Sequence, residues 1–203
     1  MHTATPPRFL PWALAFGITR FGDIWSTGLF MLQPGGEQGE MNPLTSIFGI
    51  SYWPLITINL VVMATLIYGH WHYCKHFGER TIDGQPTDRW EYQSLLFFGT
   101  IGQAWKLLFT ADRNKTVLYT QIAHVLVKMF SCIGALAVMH NCGQYYGWIL
   151  NDHLRDLLLR PVLVYYGLCV PAVIIAYVHM AGREFRRWQA HHHVDARSAL
   201  VAL

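Results

Sequence analysis

Long apolar runs separated by short polar clusters dominate this chain of 203 residues. A helix that crosses a bilayer needs about 20 mostly apolar residues to bridge a hydrocarbon core of about 30 Å. Four stretches meet that requirement: 9–32, 55–73, 116–139 and 157–181. A Gly-rich break at 33–39 ends the first. Asn42-Pro43 is a helix start, since Asn caps and Pro fits the first helical position. Residues 43–52 then read as a short surface helix, with Pro54 as a kink or break before the second crossing. Pro171 marks a further kink in the last crossing.

The stretch 92–109 is apolar, yet Gln93, Thr100, Gln103 and Lys106 recur at spacings that fall on one helical stripe. It reads as an amphipathic helix at the interface rather than a crossing. The expected architecture is an all-α polytopic membrane bundle. It has four transmembrane helices plus interfacial helices, forms one domain over 1–203, and ends in a basic tail at 183–203.

Charge placement supports four crossings. One side receives Arg8, Lys75, Arg80, Arg89, Lys106, Arg113, Lys115, Arg183, Arg186, Arg187 and Arg197, and the other only Arg155 and Arg160. Such asymmetry marks the cytoplasmic face, so both termini are expected there, in a prokaryotic inner membrane. Charged residues make up 13% of the chain and aromatics 14%, a balance that favours lipid over water as surroundings. The start is not a good secretory signal, because Arg20 and Asp23 interrupt an apolar run too long for a signal core. Cys74, Cys132, Cys142 and Cys169 show no CxxC and no zinc spacing, and read as reduced, small apolar residues.

The polar residues inside the apolar runs carry the most information. Arg20, Asp23 and Thr27 share a face of the first helix, and Gln121, His124, Lys128 and Ser131 share one of the third crossing. An unpaired charge at mid-membrane costs roughly 2.5–3.5 kcal/mol or more. The expectation is therefore that Asp23 and Lys128, at similar depth, pair across two touching helices. Such a pair either fixes packing and register alone or lines a proton path or polar substrate site.

Asp23 and Thr27, a Gly-rich break, then Glu40, Asn42, Pro43 and Leu44 spell D-x-x-x-T … E-x-N-P-L. This pattern, over about the first third of the chain, resembles a family of small uncharacterised prokaryotic membrane proteins of unknown function. The resemblance implies a small helical membrane domain and supplies no activity. That family often carries a Lys in its second helix, where this chain offers Asn59. Glu40 and Asn42 either cap the next helix or face a polar cavity on the outer side.

Eleven histidines raise the question of a metal. His70 and His179, at the inner ends of their helices, could meet the two-ligand requirement of haem b, with His124 somewhat deeper. His72 and His76 share a face, and His191–His193 read as solvated tail. HExxH, GxSxG, CxxCH and P-loop motifs are all absent from the sequence. Three functions follow as expectations. The first is a non-catalytic subunit or accessory protein of a larger membrane complex, with lipid and other membrane subunits as partners and no nucleic acid. The second is a His-ligated haem or metal redox protein. The third is a small proton-coupled transporter or intramembrane enzyme using Asp23 and Lys128.

Overall fold

The structure, a computed structural model, describes residues 7–33, 48–77, 79–80, 82–148 and 161–201, with side chains left out at 108, 161–166 and 192–201. Its elements are helices throughout, without a strand among the described residues: α1 (Phe9–Met31), α2 (Tyr52–Lys75), α3 (Arg89–Phe98), a 3-10 segment (Ala104–Leu108), α4 (Lys115–Tyr145) and α5 (Pro161–Val201). Among the described residues, three helical stretches are long and apolar enough to cross a membrane: Tyr52–Lys75, Lys115–Tyr145 and Gly167–His191. That is one fewer than the hydrophobic pattern suggests. Helix α1 has the length, at 23 residues, but Arg20 and Asp23 stand within it.

The helix ends follow local chemistry. Pro54 lies in the first turn of α2, where its missing N–H leaves no intrahelical bond unmade. Helix α5 opens on Pro161 and continues through Pro171. The expected helix over 92–109 is interrupted: Gly99 closes α3 in the left-handed region at φ 73°, and Gly102 follows at φ 84°. Only glycine takes such angles without strain. Asp88 caps the start of α3, accepting from the N–H groups of Trp90 (2.7 Å) and Glu91 (2.9 Å).

The chain divides by contact into two compact units, which are taken separately. The first comprises Gly69–Val125 and Ile175–Leu203 with the segment ending at Phe9. Its apolar centre is Tyr92, Leu96, Phe97, Phe98 and Ala111, with Ile82, Leu107, Phe185 and Trp188 against them. Burial, reinforced by the Glu184 carboxylate, pushes the Tyr92 hydroxyl's pKa up, so it stays neutral. Between α3 and the 3-10 segment, the Ser94 hydroxyl donates to the Thr100 carbonyl and accepts from the Gln103 N–H, each at 2.7 Å. The basic tail continues as helix to Val201, and Trp188 packs on Tyr92 and Phe185. The guanidinium groups of Arg183 and Arg187 lie over the Phe77 ring at 5.8 and 5.2 Å.

The second unit comprises Leu10–Tyr68 and Leu126–Ile174. Here α1 packs on α4 through small residues: a methyl at Gly22 would meet Val138 at 3.0 Å, and one at Gly134 would meet Thr19 at 3.1 Å. Small residues let membrane helices approach closely enough for dispersion contacts to hold them. Phe16 stacks on Phe130, and Asn141 donates to the Ser26 hydroxyl at 3.1 Å.

Candidate functional site

Helix periodicity places His70 and Cys74, four residues apart, on one face of α2. His124 comes from α4. The approach depends on Gly69, since a Cβ there would lie 2.5 Å from the Ala123 Cβ and 3.1 Å from the Tyr119 ring. With no side chain at 69, the Nδ1 atoms of His70 and His124 come to 2.9 Å, and the Cys74 thiol lies 3.8–3.9 Å from the His70 ring nitrogens. One donor atom from each of the three residues lies within 4.8 Å of the others. His70 is fully buried and His124 almost so. Tyr73 stacks on the His124 ring at 4.1 Å, and Phe9 lies against His70 at 5.5 Å.

The donor set suits a borderline-to-soft transition metal, for which imidazole and thiolate are the favoured ligands. Zinc takes nitrogen at about 2.0–2.1 Å and sulfur at about 2.3 Å, so a tetrahedral ion would hold N···N at about 3.3 Å and N···S at about 3.6 Å. The His70–His124 and His70–Cys74 separations differ from these by a few tenths of an ångström, and Cys74 and His124 lie within 4.8 Å. A haem does not fit between His70 and His124, because ring nitrogens in hydrogen-bond contact leave no slot for a macrocycle. His179, the other residue considered beside His70, is exposed on α5.

The same unit holds a buried carboxylate, Glu184, only 4% exposed. It forms an ion pair with Arg80 and accepts from the amides of Gln121 at 2.7 Å and Gln93 at 3.2 Å. The Tyr177 hydroxyl donates to the Gln93 side-chain oxygen at 3.3 Å. Every oxygen of the carboxylate thus meets a donor, which is the condition for a tolerable buried charge. Gln121 stands one turn from His124 on α4, so the carboxylate network adjoins the His70–Cys74–His124 cluster along one helix face.

The remaining expected residues fall in the second unit or outside the description. Asp23 forms its ion pair with Arg20, one turn earlier on its own helix, at 2.9 Å. The pairing matched by depth to Lys128 is thus replaced by a local one, because i,i+3 neighbours meet without help from a second helix. The Lys128 ammonium lies over the Trp12 ring at 5.5 Å, and Arg20 also donates to the Asn59 side-chain oxygen. Thr27 accepts from Asn141 at 3.5 Å, and Ser131 donates to the Val127 carbonyl at 2.7 Å. Glu40 and Asn42 lie outside the described residues. His72 and His76 do face each other, with ring centroids 4.4 Å apart, and His76 pairs with Glu79 at 2.7 Å.

Three residues escaped the sequence reading. Cys74 had a usable signal, the H-x-x-x-C spacing from His70. Glu184 sits among arginines and reads as part of a solvated tail. Gln93 was placed on an interfacial stripe but is fully buried against Glu184. Comparison with protein-family models, with curated proteins and with solved structures finds no match.

Proposed function

We propose that this is a polytopic membrane protein that binds a transition-metal ion, zinc foremost, through His70, Cys74 and His124. The observation that carries the reading is the convergence of three donors from α2 and α4 within 4.8 Å, two buried imidazoles and a half-buried thiol. Three protein ligands leave a fourth tetrahedral position for water or substrate, the arrangement of catalytic rather than structural zinc sites.

The membrane topology proposed with it has α1 as a fourth crossing and both termini on the cytoplasmic side. Leu10, Leu14, Ile18, Phe21 and Trp25 form an exposed apolar stripe along α1 at spacings of three and four, as a lipid-facing helix requires. Its two charges offset each other through the Arg20–Asp23 pair. All eleven basic residues assigned by sequence to the inner side belong to the first unit, which supports that unit as the cytoplasmic one.

The test is zinc competition against a chromophoric chelator, with the purified full-length chain. Tight binding at one ion per chain is expected, weakened at least tenfold in His124→Ala and in Cys74→Ser, while Cys132→Ser binds as the wild type does. Zinc affinity unchanged in both ligand variants would overturn the assignment.

A further inference from the structure

Asp23 faces a small cavity with a partly polar lining. The cavity between α1 and α2 has room for a single water molecule, and Asp23, Thr27, Tyr52 and Asn59 supply its polar lining against Leu55 and Ile56. The residues come from the second unit alone and are independent of the metal ligands. We propose that Asp23 is a proton-exchange site, taking up and releasing a proton through water held in this cavity.

The arrangement around Arg20 makes both charge states of Asp23 tolerable. Arg20 bonds Asp23 at 2.9 Å, donates to the Asn59 side-chain oxygen, and lies 5.9 Å from the Phe130 ring centroid. When a hydronium in the cavity transfers its proton to the carboxylate, water is left behind and the carboxyl becomes neutral. Arg20 then keeps Asn59 and the Phe130 ring as partners. When the proton returns to water, the Arg20–Asp23 ion pair re-forms. A buried guanidinium with a single partner could not release it, because the uncompensated charge would be too costly.

The other groups around the cavity leave Asp23 as the exchanging one. The Tyr52 hydroxyl from α2 donates to the Ile24 carbonyl at 3.1 Å. From α4, Asn141 donates to Ser26 and Thr27, and the Lys128 ammonium lies over Trp12. Asn59 holds its own orientation by donating to the Leu55 carbonyl at 2.9 Å, which points its oxygen at Arg20.

The experiment uses the folded wild-type chain in detergent with dicyclohexylcarbodiimide, which modifies protonated carboxyls in apolar surroundings, and reads the adduct by peptide mass spectrometry. Asp23 is expected to be modified, faster at mildly acidic than at alkaline pH. Glu184, with its oxygens taken by Arg80, Gln93 and Gln121, provides the unmodified reference. Asn59→Leu removes the second acceptor of Arg20 and should slow modification on the order of tenfold, the worth of one charge-assisted hydrogen bond. An Asp23 that stays unmodified at every pH, or an Asn59→Leu rate equal to the wild type, would overturn the proposal.

Discussion

Replacing Gly69 with alanine tests the packing that brings the proposed metal ligands together. The added methyl would meet the Ala123 Cβ at 2.5 Å and Tyr119 ring carbons at 3.1 Å. Carbon atoms rest at about 3.5–4.0 Å, so α2 and α4 must part by about 1 Å at this level. His70 and His124 part with them, carrying their ring nitrogens from 2.9 Å to about 4 Å, past the 3.3 Å or so that a tetrahedral ion tolerates. Overpacking of this kind costs about 1–3 kcal/mol. If bound metal must supply that energy to close the site, its affinity falls about 5- to 150-fold. Gly17 provides the control, because a methyl there meets nothing within 4 Å. Gly17→Ala should leave metal binding unchanged and stabilise α1 by about 0.5–1 kcal/mol, the helix preference for alanine. Both variants are compared by thermal unfolding in detergent and by zinc competition. A Gly69→Ala protein with wild-type stability and wild-type zinc affinity would refute the reasoning.

Further outcomes follow from the same geometry. Arg80→Met leaves the Glu184 carboxylate buried without its cation and should destabilise the fold by about 3–5 kcal/mol; Arg80→Met with Glu184→Gln should recover much of the loss in denaturation curves, because the charge is then gone. Asp88→Ala removes two hydrogen bonds at the start of α3 and should cost about 1 kcal/mol, read as earlier hydrogen exchange in residues 89–98. Zinc affinity should rise with pH, because metal displaces protons from Cys74 and from the imidazole pair; a titration flat across neutral pH would exclude the thiolate as a ligand.

Helical character was legible because apolar runs of spanning length leave few alternatives. The count of crossings was less so, since hydropathy cannot weigh an ion pair that neutralises itself within one helix, as Arg20 and Asp23 do. Depth matching pointed Asp23 at Lys128, but depth is one coordinate of three, and a partner one turn away on the same helix is reached first. The stripe through Gln93, Thr100, Gln103 and Lys106 assumed an unbroken helix. Gly99 and Gly102 both take positive φ, and the Ser94 hydroxyl ties the turn between them. Gln93 consequently points at Glu184 rather than sharing a face with Lys106, which donates to Gln103 at 2.9 Å.

The histidine cluster was half visible. His70 and His124 were recognised as candidates, but their meeting depends on the Gly69–Ala123 contact, a packing detail that pattern cannot express. Glu184 was hidden by its arginine neighbours, since a carboxylate in a basic segment reads as solvated until a partner from a distant segment, here Arg80, is seen.

X-ray absorption at the zinc edge, on the purified wild-type chain loaded with one equivalent of zinc, addresses the central claim most directly. The account predicts two nitrogen scatterers at about 2.0–2.1 Å with imidazole outer-shell features and one sulfur at about 2.3 Å. The sulfur should disappear in Cys74→Ser. A spectrum with only oxygen and nitrogen neighbours in the wild type, or a sulfur signal that survives Cys74→Ser, would contradict it.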